Sequence, residues 1–205
     1  MIQHRICIHF YPPDHAIKLY EKGKGSNKMK YICLLRGVNV GGKNKVSMGE
    51  LKTKLTEIGY KDVLTYVNSG NIVFDSDDDS KTVKIKVNKI LKDFLFNIKN
   101  VILTQEEYLE DALNLPAWWN EPLAGKDVLF YTDEVDYEEM KTCINKMPLN
   151  DEVVYFGKKA VFWGKHTEKE YLKTSYHKLL MKESFYPFIT IRNDKTFKKL
   201  EEMLR

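Results

Sequence analysis

From residue 29 onward the apolar segments of this chain alternate between two periodicities in a set order, and that order leaves few folds open. Tyr31-Ile-Cys-Leu-Leu35 is an unbroken apolar run and reads as a buried strand. Ser47 and Glu50 form a Ser-x-x-Glu capping box, Met48, Leu51, Leu55 and Ile58 recur at helical spacing, and Gly59 stops the helix. Asp62 to Val67 and Asn71 to Asp75 read as a hairpin turned at Ser69-Gly70. Val83, Val87, Ile90, Leu91 and Phe94 then mark one face of a second helix, and Val101 to Leu103 closes the unit. After a short helical segment, Glu106 to Leu113, the order returns. Strand Asp127 to Tyr131 is followed by a helix from Tyr137 to Met147, strands Val153 to Phe156 and Ala160 to Trp163, a helix from Tyr171 to Met181 and a strand from Phe188 to Arg192. A last helix starts near Thr196. The order β-α-β-β-α-β, twice, predicts an α+β chain of two ferredoxin-like subdomains with antiparallel sheets, over residues 29–103 and 104–205. No residue-level repeat accompanies the repeated order.

Composition narrows the setting. With 205 residues and 43% hydrophobic content, the chain can bury one large core or two small ones. No apolar run reaches the roughly 18 residues of a membrane span. Cys7, Cys33 and Cys143 are odd in number and lack CxxC spacing, which fits a reducing, cytoplasmic setting and gives no disulfide framework or zinc site. The formal charge of +4 is concentrated early, because residues 1–28 carry five basic and two acidic side chains and the rest carries 28 against 27. A nearly neutral body binds nucleic acid only through a local patch. Residues 1–28 show no periodicity and contain Pro12-Pro13, so they are expected to be disordered. Glu21 to Gly25 can be written in purine codons, as a ribosome-binding site would be, shortly before Met29. The expectation is that Met29 starts the natural protein, a point for mass spectrometry of its N-terminus.

Three stretches carry a resemblance: Leu34-Leu-Arg-Gly-Val-Asn-Val-Gly-Gly-Lys-Asn-Lys45, Tyr66-Val-Asn-Ser-Gly-Asn-Ile-Val-Phe74, and Thr190-Ile-Arg-Asn193 with Thr196. Together they resemble the bacterial domain of unknown function 1697 family, with its LLRGxNVGG, SGNxxF and TxRNxxT segments, from Met29 to the end. The resemblance implies two ferredoxin-like subdomains and brings no established activity. Asp194 departs from the aromatic residue common at that place.

Gly37 to Lys43 satisfies Gly-x-x-x-x-Gly-Lys, but Asn44 stands where a P-loop needs Ser or Thr, and the antiparallel order lacks the parallel sheet of nucleotide hydrolases. Two readings of the loop stay open. Its backbone N–H groups, with Arg36, Lys43 and Lys45, suit an anion. Alternatively, the glycines permit positive φ while Asn39 and Asn44 satisfy the loop's own backbone. Arg192-Asn193 stands before the last helix, where Asn193 or Asp194 would cap, or where Arg192 could join Arg36 around one cleft. The candidate site is therefore a polar cleft between the halves lined by Arg36, Asn39, Gly41, Gly42, Lys43 and Asn71, with Arg192 and Asn193 nearby.

Other motifs point elsewhere. Asp75 to Ser80 starts like a calcium loop but has Ser80 for the required glycine and Lys86 for the closing glutamate. Ser175-Tyr-His-Lys178 lacks the companion motifs of Ser-x-x-Lys enzymes, Ser69 lacks a nucleophile elbow, and His166 and His177 have no metal-ligand spacing. No catalytic residue, metal or cofactor is assigned. Phe130, Tyr155, Phe162 and Trp163 on strands could stack bases in an RNA-recognition manner or pack in a core, and Trp118-Trp119 could wedge between the halves. A binder, or cryptic enzyme, of a phosphate-bearing small molecule is the leading expectation. A nucleic-acid module and a protein-interaction role are the alternatives, and no membrane partner is expected.

Overall fold

A computed structural model describes residues 28–42, 44–94, 96–168 and 171–205. The disorder expected of residues 1–27 lies outside the described residues. Lys28, the last residue of that expected leader, ion-pairs with Asp62 at 2.9 Å and Asp75 at 2.7 Å.

The first half contains β1 (Met29–Leu35), α1 (Met48–Glu57), β2 (Lys61–Tyr66), β3 (Asn71–Ser76), α2 (Ser80–Leu91) and β4 (Asn100–Thr104). After α3 (Gln105–Leu113) the second half contains β5 (Gly125–Tyr131), α4 (Tyr137–Asn145), β6 (Glu152–Phe156), β7 (Ala160–Lys165), α5 (Ser175–Lys178), β8 (Ile189–Asn193) and α6 (Asp194–Leu204). The sheets have matching orders, β2-β3-β1-β4 and β6-β7-β5-β8, with antiparallel neighbours throughout. The fold is α+β with two similar β-α-β-β-α-β subdomains.

Strand alternation decides which residue enters which core. In β1, Tyr31, Cys33 and Leu35 face the layer of α1 and α2, while Ile32 and Leu34 face the opposite way. In β5, Leu129 packs with Met140 and Ile144 of α4, whereas Val128 and Phe130 turn inward. The inward sets of both sheets meet in one shared core, into which α3 and α6 insert. Tyr108 of α3 stacks on Phe130 and Phe197, and its hydroxyl donates to Phe197 O at 2.9 Å. Trp119 presents an edge to Phe162 and Phe197. Each large side chain so buried contributes roughly 1.5–3 kcal/mol. The halves therefore adhere through an apolar layer.

The helix expected from Tyr171 to Met181 is instead three pieces: a 3-10 turn Tyr171–Lys173, the four-residue α5, and a 3-10 turn Leu180–Lys182. The cause is tethering. Buried Glu152 accepts from Ser175 N at 2.7 Å and Tyr176 N at 3.0 Å, while Ser175 Oγ donates to Pro148 O at 2.7 Å. Tyr176 and Leu180 still reach the outer core, so the apolar spacing is satisfied without a continuous helix. None of the helices of the described residues is long and apolar enough to cross a membrane.

Candidate functional site

The first loop leaves β1 at Leu35 and reaches Ser47, which caps α1 by accepting from Glu50 N at 3.2 Å. Between them Gly37, Asn39, Gly41, Gly42 and Asn44 all have positive φ. Asn39 anchors the loop. Its Oδ1 accepts from Val46 N at 2.9 Å, and its Nδ2 donates to Val46 O at 2.9 Å and Asn68 O at 2.7 Å. Asn44 Nδ2 donates to Gly37 O at 3.1 Å. The loop's asparagines thus satisfy its backbone, buried Val38 pins it to the core, and Gly41 and Gly42 stand exposed. Lys43 lies outside the described residues. The neighbouring turn carries Val67 at φ 46°, a conformation that branched side chains resist, and Gly70 at φ 79°. A Cβ on Gly70 would stand 2.5 Å from Leu35 Cβ and 2.8 Å from Val38 Cγ2, so this close approach requires glycine.

Arg36, Asn71 and Arg192 do come together, and what they form is a joint. Arg192 is 7% exposed. Its Nη2 donates to Leu35 O at 2.9 Å and to Ser69 O and Gly70 O at 3.2 Å, its Nη1 donates to Thr190 Oγ1 and Ile191 O at 2.8 Å, and its Nε donates to Asn71 Oδ1. Asn71 is fully buried and also donates to Tyr66 O at 3.0 Å. Every donor of the guanidinium is engaged by neutral protein acceptors, so Arg192 clamps the start of the first loop to β8 and has none left for a ligand. Burial pulls its pKa down to about 10, and burial pushes the nearby Cys33 thiol up to about 12. Half-buried Arg36 repeats the device: it donates to Ile189 O and lies 4.8 Å over the Tyr186 ring. Asn193 stands apart as the cap of α6, accepting from Thr196 N at 2.9 Å.

The cleft between the halves lies beside this joint. It is a groove of about 1010 Å³ whose floor is Ile98 to Leu103, including most of β4. One bank is α2 and the chain after it, with Lys84, Asn88 and Lys92; the other is Tyr131 to Val135, with Lys158 and Lys159 at one end. Five lysines and three carboxylates line it. Lys84 pairs with Asp133 across it, as Lys99 does with Glu134 at 2.7 Å, and Lys159 pairs with Glu107 at 2.8 Å. The hydrogen bond from Lys99 holds the Glu134 carboxyl below its ordinary range. Among the described residues, no group of three or more His, Cys, Asp or Glu side chains is placed to hold a metal ion.

A profile of the family described as "Protein of unknown function (DUF1697)" matches residues 29–162. The chain belongs to the DUF1697 family. A solved structure titled "The structure of conserved bacterial protein SP0830 from Streptococcus pneumoniae" is 45% identical to it, covers 87% of this chain and 99% of its own, and superposes with a TM-score of 0.83. No curated protein matches it.

In this DUF1697 protein the first loop and the Thr-Ile-Arg-Asn segment meet at the joint, and the groove is lined by other residues. Lys84 and Lys92 fall among regularly spaced lysines that read as a solvated helix face, and Lys99 stands alone just before β4. One signal was present: the order β-α-β-β-α-β leaves the fourth strand at a sheet edge, and edge strands take partners. The strand aromatics Phe130, Phe162 and Trp163 are buried, with Tyr155 packed against the shared core. Phe130, Phe162 and Trp163 therefore offer no face to a base.

Proposed function

We propose that this DUF1697 protein is a binding protein that takes an anionic ligand, in the simplest case a phosphate-bearing small molecule, in the groove between its halves. The observation carrying this is the convergence on one concavity of lysines from two segments distant in sequence, Lys84 to Lys99 from α2 up to the start of β4, and Lys158 and Lys159 of the β6–β7 turn. Their ion pairs are mostly well exposed, and such pairs are worth about 0–1 kcal/mol each, so a ligand anion can replace the protein's carboxylates at small cost. In this reading Arg36, Asn71 and Arg192 hold the two banks in register, and the loop of Asn39, Gly41 and Gly42 is their support.

A thermal-shift screen with inorganic phosphate, nucleotides and sugar phosphates tests it. A ligand at 100 times its dissociation constant adds about 2.7 kcal/mol of stability. Lys99→Ala with Lys159→Ala should abolish the shift while Lys45→Ala leaves it intact. A shift lost with Lys45→Ala and kept in the double variant would move the site to the first loop and defeat the groove reading.

A further inference from the structure

The floor of the groove is a strand edge with alternating backbone polarity. Arg36 N donates to Lys99 O at 2.8 Å, which makes Arg36 and Lys99 a hydrogen-bonded pair of the antiparallel β1–β4 ladder. Alternation then turns the backbone groups of Val101 and Leu103 toward β1 and those of Asn100, Ile102 and Thr104 toward the groove. Thr104 N–H is taken by the Glu107 carboxylate in a capping box at 2.9 Å. Among the described residues, no donor or acceptor reaches the backbone N–H or C=O of Asn100 or Ile102.

The carbonyls of the corresponding edge of the other half are covered. Thr132 N donates to Phe188 O at 3.0 Å, so in β8 Ile189 and Ile191 turn outward. Arg36 donates to Ile189 O and Arg192 to Ile191 O. Two arginines that looked like anion grips instead cover this edge, as chains commonly do to prevent strand pairing. Among the described residues, Asn100 and Ile102 of the β4 edge have no such cover, and they face a groove of about 1010 Å³.

We infer that β4 accepts an extended acidic peptide as a fifth strand of the first sheet. This rests on the groove being the binding site and names the chemistry of its ligand. The edge offers acceptors as well as donors, at the roughly 6.8 Å spacing of alternate strand residues, and a phosphate held by the lysines would leave these backbone groups unpaired. A peptide backbone carries both donors and acceptors at that spacing. Charge fixes the sign of the side chains, because five lysines border the groove, and Asp133 and Glu134 already occupy two of them as peptide carboxylates would.

The test uses a fluorescein-labelled octapeptide of alternating glutamate and valine, its lysine-valine counterpart, and the panel of phosphate compounds, with fluorescence anisotropy as readout. The acidic peptide should bind and the basic one should not. N-methylation of the acidic peptide at backbone positions facing β4 should weaken it at least tenfold. Asn100→Pro removes one outward N–H without touching the β1 ladder and should do the same. Glu134→Gln, which releases Lys99, should tighten binding several-fold. If Asn100→Pro melts early, the N-methyl series decides alone. Acidic-peptide binding indifferent to N-methylation would overturn strand addition while leaving the groove reading in place, as would binding of phosphate compounds without the peptide. Binding of neither would overturn both.

Discussion

Replacing Arg192 by methionine tests how the two halves are joined. The side chain is of similar length and apolar, so the change removes six hydrogen bonds without opening a large cavity. Two of the carbonyls stay partnered, since Leu35 O still accepts from Thr190 Oγ1 and Gly70 O from Leu35 N. Asn71 Oδ1, Ser69 O and Ile191 O are orphaned, at about 1–3 kcal/mol each. The desolvation cost of the buried cation disappears with it, which offsets several kcal/mol. The net loss should be about 3–4 kcal/mol, or about 6–16 °C in Tm for a chain of this size. Urea denaturation beside calorimetry measures it. Arg192→Lys should not rescue, because a single ammonium cannot span acceptors on Leu35, Ser69, Asn71 and Ile191. A loss below about 1 kcal/mol would show that the clamp adds nothing beyond the shared apolar core, and recovery by lysine would show that the planar fork is not what holds it.

Gly70→Ala should cost about 2–4 kcal/mol, since positive φ combines with clashes against Leu35 and Val38, while Gly42→Ala, at φ 76° in open space, should cost only about 1–2 kcal/mol; denaturant midpoints compare them. Cys33, buried with its pKa pushed up to about 12, should react with a thiol reagent at pH 8 only on unfolding, whereas half-buried Cys143 should label in the native protein, as mass spectrometry of the modified peptides will show. Because Lys99 holds the Glu134 carboxyl below its ordinary 4.5, the stability from that pair is present above pH 4.5 and lost as pH falls through the depressed value. Wild type and Glu134→Gln should therefore converge in stability as pH falls below 4.5, and a difference that grows on acidification would contradict the pairing.

The elements were legible because periodicity and caps are local. Met48, Leu51 and Leu55 face the outer core as their spacing requires, and Tyr31 and Ile32 go to opposite faces as strand alternation requires. The segment after Tyr171 was misread for a reason equally plain: Glu152, more than twenty residues away, takes the N–H groups that begin its short helix, and no local pattern reports that. The site was legible only as a meeting of polar segments. An arginine offers the same five donors to a phosphate or to a ring of carbonyls, and what decides between them is whether the other half is packed on top. For Arg192 it is, and for the groove lysines it is not.

The insertion of α6 between the sheets also governs how the molecule can come into being. Phe197, Leu200 and Leu204, on its final helix, complete a layer begun by Ile32 and Leu34 on its opening strand. A nascent first half therefore leaves the ribosome with a sticky underside, and it stays a client for chaperones until distant sequence arrives to seal it. Split into two polypeptides at the start of α3, the protein should yield fragments that aggregate alone and recover solubility only when made together.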